Sequence, residues 1–338
     1  MKKMILTIFI VLLTFMISSC QVKPNEIPLI IYDMNDNYMS DFEQKIKDAS
    51  GDINYKTYDS QNSQIIQNEI FESLLEQGYK TFVINPVDRL SVYALIEKAE
   101  QKDATIVFIN REPLESDMNL SDKVYYLGAD AAQSGRLQAE LVMELFGSNP
   151  EALNLYDKNG DNKIQAVILK GEQGHQDAEQ RTQVVIDDLT DNLYDVDVLE
   201  IKIANFDMQE ASIATEELLN TYGDQIEVVL ANNDAMAVGA IETLKAQGYF
   251  VDTNQDGVIN RQTETWMPVI GIDGLDIAIE QIEKGYLYGT VLNDSITMAE
   301  ALSELVGLII NGEDINQLSY GITNDKYIWI DYQKLTFS

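Results

Sequence analysis

Short apolar runs recur along this chain, separated by longer segments in which apolar residues return every three to four positions. The runs Pro28–Tyr32, Thr81–Ile84, Thr105–Ile109, Ile164–Leu169, Ile226–Leu230, Pro268–Ile272 and Tyr288–Leu292 are almost free of polar side chains, the pattern of parallel strands buried on both faces. The segments between them, Ser63–Gln77, Ala131–Phe146, Asp177–Leu189, Gln209–Tyr222, Asp234–Gln247, Leu275–Lys284 and Ile296–Ile310, read as amphipathic helices, several ending at glycine. Because helices must cover both faces of a parallel sheet, the alternation predicts an α/β fold of doubly wound sheets. At 338 residues the chain exceeds what one hydrophobic core usually organises, so two such lobes are expected.

Polar residues follow the strands in a consistent way. Asp36, Asn85, Asn110, His175, Asn233, Asp273 and Asn293 each lie at or just beyond the carboxyl end of an apolar run, the end at which open α/β sheets bind ligands. Asn and Asp also cap helices and make turns there, which accounts for some of them individually. A set of amides and carboxylates nearly without cations suits a polyhydroxyl ligand better than a phosphate, since each such group can satisfy two hydroxyls.

The N-terminus has a short basic start (Lys2, Lys3), an apolar stretch from Met4 to Ile17, and Ile17-Ser18-Ser19-Cys20. This reads as a secretory leader over residues 1–19 ending in a bacterial lipobox, with Cys20 acylated as the new N-terminus and residues 20–26 as a polar tether. Cys20 is the single cysteine, so no internal disulfide framework exists and stability must come from packed cores. The expected location is the extracytoplasmic face of the cell membrane. The excess of 56 acidic over 23 basic residues argues against nucleic acid and anionic lipid surfaces as partners.

Two segments carry calcium-loop spacing, with oxygen donors at positions 1, 3, 5 and 9 and a backbone carbonyl at position 7. The first uses Asp157, Asn159, Asp161, the carbonyl of Lys163, and Gln165, but has Ile168 where an acidic residue closes an EF-hand. The second uses Asp252, Asn254, Asp256, the carbonyl of Val258, and Asn260, has Gly257 at the sharp turn, and places Glu264 one residue beyond the closing position. An Asn/Asp/Gly-rich surface turn is the alternative reading of each.

Five segments in order, Asp36-Asn37-Tyr38-Met39-Ser40, Asn110-Arg111-Glu112-Pro113, Lys170 to Thr182 with its His-x-Asp-x-x-x-Arg core, Asn232-Asn233-Asp234-Ala235-Met236-Ala237, and Gly289 to Asp294, resemble the sugar-contacting segments of the periplasmic galactose/glucose-binding proteins. The resemblance runs from about Ile27 to the C-terminus. It implies a type I periplasmic-binding-protein fold, with residues 27–129 and 294–325 in one lobe, 130–293 and 326–338 in the other, and crossings near 129, 293 and 325. It further implies that Asp36, Asn110, His175, Asp177, Arg181, Asn233, Asp273 and Asn293 hydrogen-bond a monosaccharide. Tyr38 and Phe206 match the two stacking positions, where better-known relatives carry phenylalanine and tryptophan. Glu227 matches the distant glutamate that completes the first calcium site, while nothing carries over to the second loop.

The implied function is capture of D-galactose or D-glucose, methyl-galactoside included, by a monomer that delivers it to an ABC transporter permease. Some relatives also signal to chemoreceptors, and the sequence leaves that open. An enzyme is not expected. A glycosidase would draw its acid/base pair from Asp36, Asp177, Glu179 and Asp273, but there is one histidine and no spare cysteine. Neither a P-loop nor a dinucleotide turn is present. A transcription regulator of this fold would need a basic helix-turn-helix, which is missing.

Overall fold

The computed structural model describes residues 26–336; the leader, Cys20 and most of the tether lie outside the described residues. Two six-stranded sheets form. The first runs β11-β5-β4-β3-β1-β2, from β1 (Glu26–Ile31), β2 (Asn54–Asp59), β3 (Thr81–Ile84), β4 (Thr105–Ile109), β5 (Val124–Gly128) and β11 (Tyr327–Trp329). The second runs β12-β10-β9-β8-β6-β7, from β6 (Ile164–Lys170), β7 (Val196–Ile203), β8 (Val228–Ala231), β9 (Val269–Asp273), β10 (Gly289–Leu292) and β12 (Gln333–Thr336). All pairings are parallel except β10 with β12. This is the doubly wound, two-lobed α/β architecture expected.

Each sheet is buried on both faces, which is why its central strands are continuous apolar runs. In the first lobe, Phe42 and Ile46 pack with Met298, Leu302 and Leu305 on one face, while Phe71, Leu74, Leu95 and Ile96 cover Ile84 and Phe108 on the other. The second lobe repeats the scheme, with Leu218, Met236 and Ile241 on one face and Val142, Leu145 and Leu189 on the other. Strands β2 and β7 stand at sheet edges with mixed burial, and the half-polar sequences Asn-Tyr-Lys-Thr-Tyr-Asp and Val-Asp-Val-Leu-Glu-Ile-Lys-Ile carry no apolar run for that reason.

The chain passes between lobes three times. It leaves the first after β5 to form the Ala131–Phe146 helix against β9, β10 and β12, and returns after β10 as the Ser295–Asn311 helix, whose Met298 and Leu302 join the first core. The third passage corrects the expected position near residue 325. Tyr327–Trp329 pairs with β5 in the first sheet, and Gln333–Thr336 pairs with β10 in the second, so the passage is Ile330–Tyr332. Gln133 ties it to the first passage, accepting from the Tyr332 amide at 2.9 Å and donating to Asp331 at 3.2 Å. Trp329, just before it, stacks flat on Tyr327 with an interplanar angle of 2° and meets Tyr126 edge-on.

Candidate functional site

The carboxyl ends of both sheets face one another across a cleft. One void in it is lined by all ten residues singled out in the sequence: Asp36, Tyr38 and Asn110 from the first lobe, His175, Asp177, Arg181, Phe206, Asn233 and Asp273 from the second, and Asn293 at the second passage. Tyr32, Met39 and Arg111 complete the lining. Asn85 does not line it; fully buried, it accepts from the Tyr32 amide and donates to Asn110 Oδ1 at 3.2 Å, holding two lining residues in place.

The capping and ligand-facing readings of these residues turn out to coincide. Asp36 Oδ1 accepts from the Met39 amide at 2.8 Å, His175 Nδ1 from Asp177 at 3.1 Å, and Asn233 Oδ1 from Met236 at 2.9 Å. Each satisfies an otherwise orphaned amide at a helix start, and each cap sits where a strand hands over to a helix at the cleft. Three lining residues hold backbone conformations that L-residues rarely adopt: Asn110 at φ 62°, Phe206 at φ 61° and Asp273 at φ 134°. Such conformations persist only where the surroundings impose them. Gly171 faces the Phe206 ring so closely that a Cβ there would overlap it.

Arg181 is the electrostatic centre. It is 4% exposed and donates to the Asn232 carbonyl at 2.7 Å and to the Tyr332 hydroxyl at 3.0 Å. Asp177 and Asp273 lie 3.7 and 3.8 Å away. Burial pushes both carboxyls above their ordinary range, against the pull of Arg181. Burial also holds His175 well below its usual pKa, reinforced by Arg111 and Arg181. The imidazole is therefore neutral, and because Nδ1 accepts, the proton sits on Nε2 as a donor.

Three buried polar atoms of the lining have no partner in the protein: the donors Arg111 Nε and Arg181 Nε, and the acceptor Asn293 Oδ1. Buried groups left unpaired cost free energy, so the cleft calls for a ligand that both accepts and donates, as a hydroxyl does. Arg111 to Glu172 at 3.4 Å and Gln176 to Glu112 at 2.9 Å bridge the two lobes across the cleft. Arg111 also lies over the Tyr32 ring at 3.7 Å, and the Tyr32 hydroxyl donates to Asp36 at 2.6 Å. Sequence reasoning gave no role to Tyr32, Arg111 or Tyr332, although Arg111 adjoins Asn110 in a segment that it singled out.

Both calcium-type loops lie at the opposite, amino-terminal ends of the second sheet, before β6 and before β9. They are built alike. In each, the position-1 aspartate accepts from the amides at positions 4 and 6 (Asp157 from Gly160 and Asn162; Asp252 from Gln255 and Gly257). The position-3 asparagine and position-5 aspartate each accept from the amide two residues on. A glutamate then spans positions 2 and 9: Glu227 accepts from Lys158 and Gln165, and Glu264 from Thr253 and Asn260. Among the described residues no three Asp, Glu, His or Cys side chains gather as a metal site by themselves, so a cation would need the amide and carbonyl oxygens too. In the first loop one such donor is waiting: Gln165 is 5% exposed and its Oε1 has no partner, while its Nε2 faces Asp161. Tyr156, beside Asp157, meets Trp266 edge-on at 5.5 Å and so links the two loops.

Residues 27–314 match the family described as the periplasmic binding protein domain. The chain is 35% identical over 312 residues, 91% of this chain and 88% of the relative, to the D-galactose/methyl-galactoside binding periplasmic protein of Haemophilus influenzae. It is 22% identical to the ribose import binding protein of Bacillus subtilis, covering 94% of this chain and 96% of that one. Among solved structures it is similar to an ABC transporter solute binding protein from Bacillus halodurans with bound myo-inositol, with a TM-score of 0.74 and 24% identity over 94% of this chain and 96% of that one.

Proposed function

The chain belongs to the periplasmic binding protein domain family, and from that premise we propose that it captures a hexopyranose, D-galactose or D-glucose, and hands it to an ABC transporter permease. The family members to which it is similar are binding components of transport, not enzymes. The observation that carries the hexose reading is the cleft lining itself: unpartnered Arg181 Nε and Asn293 Oδ1, three carboxylates, and the Tyr38 and Phe206 rings around one void. Hydroxyls satisfy the former, and aromatic faces suit the C–H faces of a pyranose. Calorimetry with D-galactose, D-glucose, D-ribose, myo-inositol and maltose, with product analysis after long incubation, tests it. Binding of neither hexose, a preference for ribose or inositol, or turnover of a glycoside would overturn it.

Asp36 is the residue proposed to accept both hexoses. They differ in the axial or equatorial C4 hydroxyl, and a carboxylate can accept from either placement. Its oxygens are already oriented by Met39 and Tyr32, leaving further lone pairs for the sugar. Asp36→Ala is expected to weaken both hexoses about tenfold or more, as a hydrogen bond to a charged group is worth ~1.5–3 kcal/mol. Equal loss of the folded state in urea would assign the effect to the lost helix cap instead.

Gly171→Ala should displace the Phe206 ring and with it one face of the stack. Aromatic contacts of this kind are worth ~0.5–1.5 kcal/mol, so affinity is expected to fall roughly three- to tenfold with the melting temperature nearly unchanged. Unaltered affinity would show that the ring takes no part in binding.

We further propose that the Asp157 loop, with Asn159, Asp161, the Lys163 carbonyl, Gln165 and Glu227, holds one calcium ion, and that the Asp252 loop holds a second. Lipidation at Cys20 would keep the receptor at the membrane surface, near the permease; mass spectrometry of the mature N-terminus tests that reading. Docking to a chemoreceptor would use the same closed, liganded form.

A further inference from the structure

Arg181 is tied to the passages between the lobes by a residue outside every ligand-contacting segment. Tyr332 belongs to Ile330–Tyr332, the third passage between the lobes, and is 4% exposed. Its hydroxyl takes the Arg181 Nη2 proton at 3.0 Å, 151 residues away in sequence. Its amide is held by Gln133, three residues beyond the first passage. Its ring lies with Asn110, Gly128, Ala129, Asp177, Asn293 and Met298 around a small gap where the first two passages meet the cleft.

The four Nη hydrogens and Nε–H of a guanidinium form a rigid planar fork. Nη1 is fixed by the Asn232 carbonyl and Nη2 by Tyr332, so these two bonds set the rotation of the plane and point the unpartnered Nε. One of the two fixings comes from the second lobe and the other from the passage that must bend when the lobes part.

On the reading that the cleft takes a hexose, we infer that Tyr332 is a positioning residue for sugar recognition: from the third passage its hydroxyl aims the Arg181 fork at one sugar oxygen and couples that contact to lobe closure. Tyr332 touches Arg181 rather than the ligand. Removing its oxygen should leave the cleft intact and blur one contact.

Tyr332→Phe in the full folded domain tests this, with Asp331→Ala as the control that loosens the same passage without touching Arg181. In the sugar-free protein, the side-chain ¹⁵N–¹H signals of Arg181, assigned by their loss in Arg181→Lys, should show distinct Nη groups in the wild type that merge in Tyr332→Phe and stay distinct in Asp331→Ala. Calorimetry with D-galactose, D-glucose and their monodeoxy analogues then reads the coupling. Both hexoses should weaken roughly tenfold in Tyr332→Phe, the scale of one hydrogen bond to a charged group. The one deoxy analogue whose affinity is also insensitive to Arg181→Lys should lose nothing further, whereas Asp331→Ala should affect all analogues alike. Unchanged Nη signals overturn the positioning role whatever the sugar does. Merged signals with an equal loss for every analogue overturn the coupling to a single oxygen. Merged signals with no hexose binding to the wild type overturn the sugar reading, and the coupling with it, while the positioning of Arg181 stands.

Discussion

Arg181→Met is expected to abolish hexose binding and to cost about 3–5 kcal/mol of stability, the usual penalty for removing one partner of a buried ion pair. The guanidinium is the cation between Asp177 and Asp273; it and Asp273 are almost wholly removed from water, and Asp177 is partly so. Without it two buried carboxyls face each other and their pKa values rise further. The sign of the pH dependence follows. The folded variant holds protons that its unfolded chain releases, so its stability should decline as pH rises above the ordinary carboxylate range. The deficit against wild type is therefore larger at pH 8 than at pH 5. Arg181→Lys restores the charge but not the planar fork, so it should recover most of the stability and little of the affinity, which we expect to remain down by about tenfold or more because the charged contact to the sugar oxygen is lost. Urea unfolding at the two pH values and calorimetry separate these effects. Wild-type affinity in Arg181→Lys would show that the fork is not what reads the ligand.

Chelation is the second large effect expected. If the Asp157 loop is filled at about 100 times its dissociation constant, bound calcium contributes ~2.7 kcal/mol, and stripping it should lower the melting temperature by roughly 5–10 °C. Glu227 is the carboxylate that the loop lacks locally, and burial raises its pKa, so a cation would also relieve its cost of ionising. Glu227→Gln should melt near the chelated wild type and no longer respond to chelator. Calcium titration of that variant isolates the Asp252 loop, where Glu264→Gln should remove whatever binding is left. A chelator-insensitive wild type, with no metal co-purifying, would reduce the first loop to a turn, and a flat titration of Glu227→Gln would do the same for the second.

Much of this architecture was legible in the sequence for a physical reason. Strands buried on both faces must be apolar throughout, so β1, β3, β4, β6, β8, β9 and β10 announce themselves. Edge strands β2 and β7 bury one face only, and β11 is three residues whose sheet is decided by tertiary pairing, which is why the third passage was expected too early. Six of the ten lining residues, Asp36, Asn110, His175, Asn233, Asp273 and Asn293, were legible from their place at strand ends, while Tyr38, Asp177, Arg181 and Phe206 came only from the family resemblance. Arg111 and Tyr332 were not, because their roles arise from proximity across lobes or across 151 residues, and Tyr32 was not, because it ends an apolar run and reads as core; neither periodicity nor spacing encodes these contacts.

The chain has two tryptophans, one in each lobe. Trp329 is stacked on Tyr327 beside the third passage, and Trp266 sits edge-on to Tyr156 next to the Asp157 loop. Indole emission responds to local ring packing and polarity, so a protein keeping only Trp329 would glow as a gauge of lobe closure, and one keeping only Trp266 as a gauge of the loops. Single-tryptophan variants would thus give two separable optical channels, one at the passage between the lobes and one at the Asp157 and Asp252 loops, with no attached dye.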